Sequence, residues 1–156
     1  MVYWDTSALL KLYVSEPESA RLGELASAED PILSSAIAPV EIMCALARKE
    51  GSGEMTCGGA REVFALIGRH LAAGRISIIP FGDDVIREAE ELVRLAASRE
   101  RPVMIRALDL IHLASAVASR SRTIVTTDAR LRELAALAGL KVLPEPPYWT
   151  GPPPDR

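Results

Sequence analysis

Five short apolar runs, VYW at 2–4, PIL at 31–33, ISII at 76–79, TIV at 123–125 and KVL at 141–143, are separated by longer stretches of helical periodicity. Strands that alternate with helices favour crossover connections, and hence a parallel sheet covered on both faces. The first expectation is therefore an α/β fold with about five strands. A chain of 156 residues fits one domain and can bury roughly two thirds of its unfolded surface without staples. The 49% hydrophobic content, with only 4% aromatic residues, suits helices packed on a short sheet better than an aromatic-cored sandwich.

Local signals set the helix limits. A first helix is expected from Thr6 or Ser7 and a second from Pro17, whose fixed φ suits a first turn. A third runs from near Pro39 to Glu50, and after the glycines between 51 and 59 a fourth covers Arg61 to Leu71, the two reading as a hairpin. Asp83 and Asp84 read as an N-cap and acidic first turn for a helix whose stripe is Val85, Ile86, Ala89, Leu92, Val93 and Ala96. Past Pro144, EPPYWTGPPPDR holds five prolines without periodicity, so residues 1–144 read as the domain and 145–156 as an extended tail.

The formal charge of −3 and pI near 5.5 argue against a general polyanion binder. That total changes to +1 if four carboxylates are screened by divalent cations. Fifteen of the 18 basic residues are Arg, whose planar fork suits phosphate. Cys44 and Cys57 have no metal-ligand spacing and suggest neither zinc nor a disulfide framework, which fits a reducing, cytoplasmic setting. No leader pattern and no run near the ~18 apolar residues of a membrane span is present in the sequence.

Four acids stand out. Asp5 ends the first strand and Asp128 follows the fourth, which places both at the carboxyl lip of the sheet, where ligands bind in open α/β folds. Helix capping explains either one alone equally well. Glu41 lies in the first turn of the third helix, where the helix dipole by itself favours an acid. Asp109 is more informative, because the helix from Ala107 to Ala118 is apolar almost all round and reads as buried. Its exceptions, Asp109, His112, Ser115 and Ser119, fall within an arc of roughly 120°. A buried acid needs a partner, and a salt bridge to Arg106 would serve as one. His112 reads as a helix residue satisfying a hydrogen bond near Asp109.

If the four acids converge, their mutual repulsion calls for a cation. Hard oxygen ligands select Mg²⁺ or Mn²⁺ over zinc. Two such ions can activate a water and stabilise the leaving oxygen of a phosphodiester.

The segments WDTSALLKLYVSEPES, APVEIMCALAR, RALDLIHLASA and TTDARL, in this order, resemble PIN-domain proteins, specifically VapC-type toxins of toxin-antitoxin pairs. The resemblance places the acidic metal-binding and catalytic set on Asp5, Glu41, Asp109 and Asp128, and site-lining hydroxyls on Thr6, Ser7 and Thr126. It implies a three-layer α/β/α sandwich with a central parallel sheet. It also implies a Mg²⁺- or Mn²⁺-dependent endoribonuclease acting on RNA, a homodimer, and inhibition by a cognate VapB-like antitoxin.

Lys11, Arg48, Lys49 and Arg61 are candidate RNA-backbone contacts, although a solvated helix face explains them as well. An apolar groove for a protein partner is expected around Leu12, Tyr13, Met43 and Leu46. An idle PIN-like module that only binds RNA or protein is the competing reading, and loss of an acid would favour it; all four are present. Phosphotransfer through Asp5 would need a second acid two residues on, and that position is Ser7.

Overall fold

The computed structural model describes residues 1–28, 31–98 and 104–145. Five strands, β1 (Val2–Trp4), β2 (Ile32–Ser35), β3 (Ile76–Ile79), β4 (Thr123–Val125) and β5 (Lys141–Leu143), form one parallel sheet in the order β3-β2-β1-β4-β5. The helices are α1 (Thr6–Leu10), α2 (Ser19–Ala26), α3 (Ala38–Gly51), α4 (Gly59–Ala72), α5 (Asp83–Ala97), α6 (Ala107–Ala118) and α7 (Ala129–Leu137).

Strand periodicity divides the core. Tyr3 is in register with Leu33 and Ile124, and these three pack with Val85 and Leu92 of α5, Leu113 of α6 and Leu131 of α7. Trp4, in register with Val125, faces the other way, onto Leu9 of α1, Leu22 of α2, Ile42 and Leu46 of α3 and Ile67 of α4. The sheet therefore lies between two helical layers, the expected α/β/α sandwich. Each of these fully buried aliphatic side chains contributes about 2 kcal/mol of transfer free energy.

Several local limits move. β2 runs two residues beyond Leu33 because Ser34 and Ser35 are buried with partners: the Ser34 hydroxyl donates to the Trp4 carbonyl at 2.8 Å, and Ser35 accepts from Ser115 at 3.2 Å. α2 starts at Ser19 rather than Pro17, since Glu18 before it adopts a left-handed φ of 70°. α5 is preceded by Gly82, and Asp83 and Asp84 both lie inside its first turn. The connection from α3 to α4 turns at Gly53 and Gly58, with φ of 80° and 85°, values that L side chains avoid.

Two expectations about surfaces fail. α6 is not buried all round: Leu108 is 49% exposed, and Leu110 and Ile111 line an open apolar depression shared with Phe81, Ile86 and Val93 of the neighbouring α5 region. Ile86 and Val93 therefore drop out of the buried stripe of α5 while Val85, Leu92 and Ala96 stay in it. The four residues expected in one partner groove are also separated. Leu12 and Tyr13 line a cavity with His70 and Arg75, Met43 lines a different one with Arg61 and Phe64, and Leu46 is buried at the floor of the latter. Of the tail, Glu145 is described and exposed; residues 146–156, with Tyr148 and Trp149, lie outside the described residues.

Candidate active site

The chain lays down β1, moves outward through β2 and β3, and returns on the other side of β1 with β4. The strand order thus reverses between β1 and β4, and the crevice at their carboxyl ends is the natural ligand position. Asp5 follows β1 and Thr126, Thr127 and Asp128 follow β4, with the Asp5 N–H bonded to the Val125 carbonyl at 3.1 Å.

Asp5 is buried and caps α1 by accepting the Ala8 N–H at 2.9 Å. Its carboxylate also accepts from the Ser7 hydroxyl at 2.9 Å to each oxygen and from the Thr126 hydroxyl at 2.8 Å. Burial raises its pKa, and the charge of His112 and these hydrogen bonds oppose that rise. Asp128 caps α7 through the N–H groups of Arg130 and Leu131, at 2.9 and 3.0 Å. Capping and facing the crevice are compatible roles, since both acids use the end of a strand.

Glu41 and Asp109 reach the same crevice from α3 and α6. One Glu41 oxygen, Oε2, accepts from the Thr6 hydroxyl and from His112 Nε2, the latter at 2.7 Å. Burial acts to raise the Glu41 pKa, but the bonds from His112 and Thr6 outweigh it and hold the carboxyl below its ordinary value. Asp109 makes no hydrogen bond or ion pair among the described residues, so the alternative role for it, a salt bridge to Arg106 or another Arg, is not realised. Burial raises its pKa, and the charges of Asp128 and Glu41 raise it further against the opposing pull of Arg106 and His112.

Asp5, Glu41, Asp109 and Asp128 line one cavity of about 480 Å³, together with Thr6, Ser7, His112, Arg48 and Arg106. Thr126 is not in the lining. It is fully buried behind the site, where it donates to Asp5 and accepts the Asp128 N–H at 3.0 Å, tying the two strand-end acids together. Among the described residues no three acidic, imidazole or thiol groups are gathered closely enough to hold a metal ion. The donor set nonetheless fits a hard divalent cation: all oxygen, all acidic, and including one half-buried carboxylate that no donor among the described residues satisfies.

The other basic candidates divide by position. Arg48 lines the acidic cavity. Lys11 is held by Glu18 at 2.7 Å, and Lys49 by Glu16 at 2.6 Å and Glu54 at 3.1 Å, while Arg61 lines the separate Met43 cavity. Sequence reasoning missed Arg106 as a lining cation and the bond between Tyr3 and His112, whereas the hydrogen bond expected of His112 is made to Glu41. The polar stripe of α6 pointed to His112, but no periodicity says which strand residue a helix side chain will meet.

A PIN domain family model matches residues 2–137. The chain belongs to the PIN-domain family. Within it, this PIN-domain protein is 33% identical over 144 residues to Ribonuclease VapC46 of Mycobacterium tuberculosis, a match covering 91% of the chain and 95% of the relative, and so groups with the VapC-type members. Two solved structures share the fold. FitAcB from Neisseria gonorrhoeae superposes with a TM-score of 0.64 at 19% identity, over 97% of this chain and 100% of that one. VapBC2 from Rickettsia felis, bound to a DNA fragment from its promoter, gives 0.62 at 16% identity, over 91% and 97%.

Proposed function

We propose that this PIN-domain protein is a Mg²⁺- or Mn²⁺-dependent endoribonuclease, the toxin of a VapBC-type toxin-antitoxin pair that acts in the cytoplasm. The observation that carries this reading is Asp109. It is a half-buried carboxylate with no hydrogen-bond donor among the described residues, in one cavity with three other acids, and its pKa is raised by burial and by the charges of Asp128 and Glu41. A cation bound beside it would favour the ionised form and offset the repulsion of the neighbouring acids.

Asp5, Glu41, Asp109 and Asp128 would hold the ion. A bound divalent cation supplies activation of a water and stabilisation of charge on the phosphodiester. Thr126 and Ser7 fix Asp5 in its orientation, and Thr6 and His112 fix one oxygen of Glu41. Arg48 and Arg106, at the cavity wall, are placed to neutralise the phosphates of an RNA strand. The names of the relatives support the rest of the reading: a ribonuclease, and a VapC protein found together with its VapB partner. The apolar depression of about 500 Å³ between α5 and α6, with Phe81, Ile86 and Val93 at its rim, supports homodimerisation through that face.

The test is cleavage of a mixed cellular RNA pool by the purified chain with EDTA, Mg²⁺ or Mn²⁺, beside Asp5→Asn and Asp109→Asn. Cutting that requires the cation and is lost in both variants is the expected result. Cutting that persists in EDTA or in Asp109→Asn overturns the reading.

A further inference from the structure

His112 is the one imidazole in the acidic cavity, and its two ring nitrogens are both engaged. Nε2 meets Glu41 Oε2 at 2.7 Å, and Nδ1 meets the Tyr3 hydroxyl at 2.7 Å. Thr6 also bonds Oε2, and its hydroxyl lies 3.2 Å from Nε2. Tyr3 is completely buried, His112 is 3% exposed, and the two rings meet edge to face at 6.0 Å and 70°. The serines at 35 and 115 flank the Tyr3 hydroxyl from β2 and α6.

The polarity of this chain follows from its end. An ionised Glu41 only accepts, so Nε2 must carry a hydrogen and donate to it, while Nδ1 is held by the Tyr3 hydroxyl on the far side of the ring. Tyr3 thereby fixes the orientation of the ring that grips Glu41. With Oε2 committed to His112 and Thr6, the other oxygen, Oε1, makes no hydrogen bond among the described residues and is left for the cavity.

We infer that His112, locked by Tyr3, is a positioning residue that holds the Glu41 carboxylate with Oε1 turned to the cation site. This rests on the metal-dependent reading above. Donors that orient a metal-binding carboxylate typically contribute about 10- to 100-fold in metal affinity when removed. In this reading their influence runs through Glu41, which Nε2 of His112 holds directly.

The experiment is a calorimetric titration of Mn²⁺ into the metal-free full chain and into His112→Ala, His112→Gln and Tyr3→Phe, with folding followed by circular dichroism. Gln carries an N–H close to the position of Nε2 and can keep the bond to Glu41. The expected result is Mn²⁺ affinity about tenfold or more weaker in His112→Ala, largely restored in His112→Gln, and severalfold weaker in Tyr3→Phe. Wild-type affinity in a folded His112→Ala overturns the inference. Should His112→Ala fail to fold, Tyr3→Phe decides, and unchanged affinity there overturns it equally. A wild type that binds no Mn²⁺ removes the metal-dependent reading and this inference with it, whereas a wild type that binds beside variants that bind equally removes the inference alone.

Discussion

Asp5→Asn separates two roles carried by one carboxylate. Asparagine caps a helix about as well as aspartate, so the Ala8 N–H keeps its acceptor. Its amide nitrogen, however, must donate where Asp5 accepted from Thr126. The Thr126 oxygen, already accepting the Asp128 N–H, has one lone pair left for it. Exchanging a charge-assisted bond for a neutral one loses about 1–2 kcal/mol. The burial of Asp5 works in the opposite direction. A carboxyl whose folded pKa is raised stabilises the fold below its unfolded pKa and loses that contribution as pH rises through the folded value. At neutral pH the ionised group is therefore on the unfavourable side, and Asn removes the penalty. The two terms oppose each other, so metal-free Asp5→Asn should melt closer to wild type than Asp5→Ala does.

Asp5→Ala instead strips the acceptor from the Ala8 N–H and from two hydroxyls, at a cost of about 2–4 kcal/mol and roughly 4–16 °C. Mn²⁺ at ten times its dissociation constant adds about 1.4 kcal/mol to the wild type, or roughly 3–6 °C. Asp5→Asn should lose that gain. Thermal melts of the three proteins with EDTA and with Mn²⁺ measure all of this. The reasoning is refuted if Asp5→Asn falls as far as Asp5→Ala without metal, or if Mn²⁺ stabilises it as much as wild type.

Metal-free Asp109→Asn should be more stable than wild type at pH 7, by no more than about 1 kcal/mol after solvent screening of a half-exposed group. Because the folded pKa of Asp109 is raised, that gain should vanish as pH falls through it, which a pH series of urea melts resolves. Arg48→Ala should raise KM for RNA severalfold at low salt, less at high salt, with kcat kept; Lys49→Ala, whose ammonium is already held by Glu16 and Glu54, should leave KM nearly unchanged in the same assay. Val93→Glu should shift a dimer to monomer in sedimentation velocity while the monomer keeps its fold by circular dichroism, since that side chain is 46% exposed in the single chain. Leu46→Ala should cost about 2–5 kcal/mol in denaturant unfolding, because Leu46 is buried between α3 and the helical layer around it.

The parallel sheet was legible because the strands are short apolar runs separated by helices, and four of the five fall where those runs lie. β2 escaped at its end because the apolar run stops at Leu33, whereas Ser34 and Ser35 continue the strand through buried hydrogen bonds. The strand-end position of Asp5 and Asp128 was also legible, since a carboxylate that closes one element and caps the next marks the sheet lip. That Asp109 lacks its Arg106 bridge, and that Lys11 and Lys49 are held by Glu18 and Glu16, depends on where long side chains settle in three dimensions. The same holds for the surface of α6. An apolar helix reads as buried from its sequence, whereas Leu108 and the depression beside α5 are covered only if another molecule covers them.

Anomalous diffraction from crystals soaked in Mn²⁺ tests the central claim most directly. The account predicts a peak in the acidic cavity, within about 2.5 Å of carboxylate oxygens that include Asp5 and Asp109, and no peak there in Asp109→Asn. A fully soaked crystal with Mn²⁺ bound only elsewhere, or bound in the cavity of Asp109→Asn as in wild type, would contradict it.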